Sequence, residues 1–206
     1  MIRLYSALAV GLIAALLGGL GYMVFVGQGQ TVLAQCRGTS ISGGGGSIGG
    51  PFELVDHTGR TVTEADFEAK PTLVYFGYTF CPDVCPLDTA RNAQAVDLLA
   101  EQGYDVTPVF VSVDHQRDTQ DALAEYVRFM HPEMVGLTGT EAQIRAAAQA
   151  YRVYFALQET DDDFYLIDHS TFSYFLLPGH GFVDVIRRDQ SPEQVADVLS
   201  CFMDNA

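Results

Sequence analysis

Positive charge is scarce in this chain. Its 206 residues carry 11 Lys and Arg against 26 Asp and Glu, a formal net charge of −15. Gripping a phosphate backbone needs clustered basic side chains, so nucleic-acid binding is excluded as a function class. Anionic lipid headgroups would repel such a chain as well, so membrane attachment has to come from an apolar segment. The plain consequence of the acidity is solubility, with attraction to a basic partner surface a secondary one. There is no internal repeat. The length fits one domain with extra segments rather than two full domains, and the 48% of hydrophobic residues is enough for a core.

An apolar segment is present. Leu4 to Val26 holds no charged side chain, and its 23 residues would span about 34 Å as a helix, enough for a bilayer core of about 30 Å. Tyr5 and Tyr22 lie near its ends, where interfacial aromatics gather. Arg3 precedes it and the next positive charge is Arg37, so residues 4–26 are expected to be a transmembrane anchor with the rest of the chain outside the cytoplasm. A cleaved signal ending near Thr31–Gln35 is the rival expectation; the run is long for one, and both export the domain. No Arg-rich transit sequence precedes the run, which points to a bacterial inner membrane with the domain in the periplasm. Residues 27–50 are rich in Gly, Ser and Gln and read as a flexible tether, with a reach of roughly 25–30 Å.

Residues 51–206 read as the globular domain. Phe52–Val55 and Arg60–Val62 flank a Gly59 turn and predict a hairpin, followed by a short helical turn at Thr63–Phe67. Thr72–Tyr78 and Thr107–Val113 are apolar, β-rich runs and predict buried strands. Helices are predicted from about Pro86 to Glu101, from Thr119 to Met130, from Glu141 to Ala150, and from Ser191 to Met203, where Ser191 caps and Pro192 takes the first helical position. Strands at Thr171–Leu177 and Phe182–Ile186 flank a turn at Pro178–Gly181. The order is β-α-β-α and then β-β-α. Parallel strands with crossover helices, closed by a hairpin and a covering helix, make an α/β thioredoxin-like layout with an added N-terminal hairpin.

There are four cysteines. Cys36 and Cys201 flank the domain, and in an oxidising compartment they are expected to form a disulfide that staples the tether to the last helix. Cys81 and Cys85 lie in Cys81-Pro82-Asp83-Val84-Cys85-Pro86, directly after a predicted strand. A residue before proline is pushed out of the α region, so both are expected in a loop, with Cys85 as cap residue and its thiolate favoured by the helix start. Such a pair can cycle through a disulfide or hold a soft metal. Three residues separate the cysteines, one more than in the thioredoxin redox motif, which can spread the sulfurs far enough to admit an ion. Copper(I) accepts thiolate and imidazole, whereas structural zinc usually takes four ligands. Among the histidines, His57, His131 and His180 read as turn residues. His115 follows the second strand at the end where ligands gather in open α/β sheets, and His169 directly precedes the Thr171 strand, which gives it a modest lead.

Phe76–Asp88 (FGYTFCPDVCPLD), Val111–Thr119 (VSVDHQRDT) and Leu166–Val183 (LIDHSTFSYFLLPGHGFV) together resemble the Sco/SenC family, which includes the bacterial PrrC-like members. The resemblance runs from about Gly49 to the C-terminus and extends to the anchor architecture. It implies a thioredoxin fold and a mononuclear copper site, copper(I) with copper(II) left open, made by Cys81, Cys85 and His169. It also implies assistance in assembling the CuA centre of cytochrome c oxidase, with subunit II or another copper chaperone as partner. Asp168 would support the ligands from behind without binding the metal. Where the family usually has Pro in the VSVDHQRDT-like stretch this chain has His115, which makes His115 a candidate extra ligand. The residues leave two main functions open: a metallochaperone, or a thiol–disulfide oxidoreductase in which Cys81 and Cys85 act as a redox dithiol on copper-site cysteines. A redox or copper sensor is a further alternative. A peroxidase is disfavoured, since two cysteines in one loop beside a metal-ready histidine are an unusual peroxidase arrangement.

Overall fold

The computed structural model describes residues 11–22, 33–37, 48–67, 69–158 and 165–206. The domain opens with a hairpin, β1 (Glu53–Asp56) and β2 (Thr61–Thr63). Its turn needs Gly59, whose φ is +90°, and the Asp56 carboxylate fixes it by accepting the N–H groups of Thr58 and Arg60 at 2.9 and 3.0 Å. Then come β3 (Thr72–Gly77), α1 (Val84–Glu101), β4 (Thr107–Ser112), α2 (Gln120–Met130), β5 (Val135–Thr138) and α3 (Glu141–Ala150). The chain continues through β6 (Phe155–Leu157), β7 (Ile167–His169), β8 (Ser173–Leu177), β9 (Gly181–Ile186) and α4 (Pro192–Asp204).

Seven strands form one sheet in the order β2-β1-β5-β4-β3-β8-β9, and β6 pairs with β7 in a separate antiparallel ribbon. The β3–β4 and β4–β5 pairs are parallel, as βαβ crossovers require, while β8 and β9 are added antiparallel at the far side of β3. β3 is buried at all six positions because it lies in the middle of the sheet with helices packed around it. Leu123 and Val127 of α2 and Ile144 and Ala147 of α3 share one core with Val74, Phe76, Val109 and Leu137. Val96 and Leu99 of α1 and Val195, Leu199 and Phe202 of α4 share a second with Leu73, Phe175 and Ile186. Thr119, Thr140 and Ser191 cap their helices, the last two through reciprocal capping boxes with Gln143 and Gln194.

The predicted thioredoxin-like order is present, with three differences. β5 extends the parallel set, although Val135–Thr138 carries no clear strand pattern. The ribbon β6–β7 was not foreseen, and His169 ends it rather than preceding β8. Helix α1 starts at Val84, two residues before the predicted start, and takes Cys85 into its first turn. Pro86 permits this, because a first-turn residue has no N–H obligation to an earlier carbonyl.

Residues 33–37 are stapled to α4 by a Cys36–Cys201 disulfide across 165 residues. Residues 11–22 form a helix that exposes Leu12, Ile13, Leu16, Leu17 and Leu20. Among the described residues no helix is long and apolar enough to cross a membrane. The remainder of the expected 4–26 anchor and most of the 27–50 tether lie outside the described residues.

Candidate metal centre

Two limbs carry the site. The first is the loop from the end of β3 into α1. Asp118, buried behind it, accepts the Thr79 N–H at 3.0 Å and the Thr79 hydroxyl at 2.6 Å, and also takes the Ser112 hydroxyl. These bonds offset the burial that pushes the Asp118 carboxyl upward in pKa, and they fix where the loop leaves the sheet. The Cys81 N–H turns back to the Tyr78 carbonyl at 3.2 Å. The second limb is the ribbon. His169 pairs with Phe155 across it, and the Ser170 N–H donates to the Tyr154 carbonyl at 2.9 Å.

The limbs meet at Cys81, Cys85 and His169, whose ligand atoms all lie within 4.8 Å of one another. Cys85 Sγ is 3.2 Å from His169 Nε2. The other ring nitrogen, Nδ1, lies 2.9 Å from the Ser170 carbonyl oxygen. A carbonyl only accepts, so Nδ1 carries the proton and Nε2 turns its lone pair toward the sulfurs. Tyr75 and Tyr78 hold the imidazole between them, with ring centroids 6.2 and 5.8 Å away and nearly perpendicular planes. Gly77 makes the room: a Cβ there would stand 2.9 Å from Cys85 Sγ.

The sulfurs are not equivalent. Cys85 is completely buried, whereas Cys81 keeps 9% of its surface exposed and forms the open edge. Cys81 is held well below the ordinary thiol range, first by its hydrogen bond with Cys85 and then by the backbone N–H groups of Asp83 and Cys85, against a burial penalty. Cys85 is pushed up by sharing that hydrogen bond and by its own burial. Of the pair, Cys81 is the one that gives up its proton more readily. This corrects the expectation that the helix start favours a Cys85 thiolate. Because α1 begins at Val84, its first free N–H groups point back at Cys81, and the Cys85 N–H reaches Cys81 Sγ at 3.4 Å.

The other sequence candidates lie elsewhere. His115 is half-buried in the loop after β4, in a hollow it shares with Glu141 and Arg145, and is not part of the ligand set. Asp168 does not support His169. Neighbouring residues on a strand point to opposite sides, and its exposed carboxylate accepts from Gln158 Nε2 at 2.6 Å. The Ser170 carbonyl takes the role expected of it. His57 Nδ1 accepts the Gly136 N–H, His131 sits beside Asp97, and His180 is exposed in the β8–β9 turn. Sequence reasoning missed Tyr75, Tyr78, Asp118 and Ser170, whose roles depend on neighbours far along the chain. Only the Gly inside the TLVYFGY strand hinted at a close approach.

Two thiolates and one imidazole with a preset tautomer fit a soft monovalent cation such as copper(I). A structural zinc site would need a fourth donor, and none stands in the cluster among the described residues. Fold and site together define a thioredoxin-like domain with a two-cysteine, one-histidine metal centre. The chain belongs to the SCO1/SenC family, whose model matches residues 42–204. It is 55% identical over 172 residues to the protein SenC of Rhodobacter capsulatus, covering 83% of this chain and 77% of that one. It is 42% identical over 157 residues to the mitochondrial SCO1 homolog 1 of Arabidopsis thaliana, covering 76% of this chain and 47% of that one, so it spans about half of that relative's length. The crystal structure of Arabidopsis thaliana ScoI with copper bound superposes with a TM-score of 0.73 at 41% identity, over 76% of this chain and 99% of that one.

Proposed function

We propose that this protein is a copper metallochaperone that assists assembly of the CuA centre of cytochrome c oxidase. The observation that carries the reading is the convergence of Cys81 Sγ, Cys85 Sγ and His169 Nε2, with the imidazole already in the metal-binding tautomer. A relative at 41% identity holds copper, which supports copper as the cargo. Cys85 anchors the ion from the buried side, and His169 holds it from the half-buried ribbon. Cys81, the more exposed of the two sulfurs and the readier to lose its proton, is the ligand that an incoming thiolate replaces first. The acceptor is the CuA domain of oxidase subunit II, and another copper chaperone is the donor or alternative partner. Residues 4–26 anchor the protein in a bacterial inner membrane and residues 27–50 let the domain reach its partner in the periplasm.

One observation favours a second reading, a thiol–disulfide oxidoreductase. Cys81 and Cys85 lie side by side at the start of α1, with the Cys81 thiol held below the ordinary range and the Cys85 thiol pushed above it. Cys81 would attack a target disulfide and release one target thiolate, and Cys85, on losing its proton, would resolve the mixed disulfide. The target gains two thiols and the Cys81–Cys85 pair becomes a disulfide.

Both readings are tested by mixing the reduced, copper(I)-loaded protein with a copper-free CuA domain whose cysteines are reduced, and the copper-free protein with the same domain oxidised. Copper leaving this protein for the reduced target supports the chaperone. Copper retained, with target thiols appearing in the second mixture, supports the reductase instead.

A further inference from the structure

The VSVDHQRDT stretch places Arg117 outside the ligand set, yet its side chain touches both limbs of the site. Toward the ribbon, the guanidinium lies 3.6 Å from the centroid of the Tyr165 ring and Nη1 donates to the Tyr165 carbonyl at 2.9 Å. Tyr165 precedes β7, which ends in His169. Toward the cysteine loop, the guanidinium faces Phe80, which adjoins Cys81, at 5.0 Å, and Tyr78 at 5.7 Å. Nε is paired with Asp114 at the end of β4, and the Tyr165 hydroxyl donates to the same carboxylate at 2.8 Å. Nη2 is buried and has no hydrogen-bond partner among the described residues. A backbone tie of β7 to this loop runs through the same group of rings: the Ile167 N–H donates to the Tyr78 hydroxyl at 3.3 Å.

We infer that Arg117 is a positioning residue for the metal centre: it clamps the ribbon that carries His169 to the loop that carries Cys81. His169 sits on a ribbon of two three-residue strands paired only with each other. Such a ribbon has little stability of its own, so its place beside the sulfurs depends on what ties it down. A planar fork that bonds two partners while stacking on a third suits that task, and a lysine ammonium cannot reproduce it. Arg117 thus acts on copper through His169 and leaves the two-sulfur part of the site alone. The inference rests on the copper reading of the site, but the clamp itself does not need the metal.

The test is a double-mutant cycle on the full chain. Copper(I) affinity is measured against a competing chelator for the parent, R117Q, H169A and the double variant. Loss of an outer-shell partner typically costs about tenfold or more in metal affinity. R117Q should show that loss in the parent background and no further loss in the H169A background. An equal loss in both backgrounds, or none in either, overturns the inference. Amide exchange in the copper-free protein supplies a second reading: R117Q should speed exchange of the Ile167 N–H while leaving that of the β3 core unchanged. Unaltered Ile167 exchange overturns the clamp. A parent that fails to hold copper(I) overturns the site reading, and the exchange result then decides the clamp on its own. If R117Q does not fold by circular dichroism, R117K carries the same cycle with a smaller loss expected.

Discussion

Replacing Gly77 by alanine puts one methyl group between the core and the metal centre. The new Cβ would stand 2.9 Å from Cys85 Sγ, 2.9 Å from Tyr75 Cε1 and 3.2 Å from Phe110 Cε2. Comfortable contacts for such atoms lie at roughly 3.5–4.0 Å, so the neighbours have to yield by about half an ångström or more. Tyr75 and Phe110 are among the largest fully buried side chains and have nowhere to go, so the sulfur has to move. Overpacking of this kind typically costs about 1–3 kcal/mol. With a urea slope of roughly 1–3 kcal/mol per molar, the unfolding midpoint should fall by about 1 M. The displaced sulfur is the one 3.2 Å from His169 Nε2, so copper(I) affinity should fall as well. Gly136→Ala is the control. Its Cβ would meet Leu123 Cγ at 2.6 Å and Val127 Cγ1 at 2.8 Å under α2, away from the ligand set. That variant should lose comparable stability and keep the parent's copper affinity. Urea unfolding and chelator competition on both variants check this. G77A with parental stability and affinity, or equal affinity losses in both variants, would refute the reasoning.

Other consequences can be measured directly. In the reduced, copper-free protein Cys81 should be alkylated by iodoacetamide well below the ordinary thiol range while Cys85 stays unmodified, as peptide mass mapping would report; preferential labelling of Cys85 would reverse the assignment. A thiol whose pKa is lowered on folding adds stability that is fully present above its unfolded value of 9.0 and is lost as pH falls through the folded value. The reduced protein should therefore become more stable from about pH 5 toward pH 9, and C81S should flatten that slope. Above that window the raised Cys85 acts with the opposite sign. Removing the Cys36–Cys201 bond by the double serine variant frees a loop of 165 residues, and denaturant unfolding should show a loss of about 2–5 kcal/mol with the copper site intact. His115→Ala should leave copper affinity unchanged, and a tenfold loss would bring His115 back into the site.

Much of this architecture was legible in the sequence because it depends on local signals. The apolar runs of β3 and β4 and the Ser and Thr caps of α2 and α4 state their own positions. β5 was hidden because Val135–Thr138 has only four residues with Gly136 inside, and its pairing with β4 and β1 supplies what its pattern does not. The ribbon was hidden for the same reason, with three residues in each strand. The cysteine spacing and the family resemblance pointed to Cys81, Cys85 and His169 together. The partner of the His169 ring could not be foreseen, because an acidic neighbour is a reasonable guess until strand alternation turns Asp168 away. Nor could the readier ionisation of Cys81, which depends on a helix that begins two residues earlier than its prolines suggest. Arg117 reaches Tyr165 across 48 residues, and no local pattern encodes that contact.

The central claim is the ligand set itself, and X-ray absorption at the copper edge of the reduced, copper(I)-loaded protein tests it most directly. Two sulfur scatterers and one imidazole, with the imidazole signal lost in H169A and kept in H115A, is the predicted result. A copper with no imidazole, or one whose imidazole survives in H169A, would contradict it.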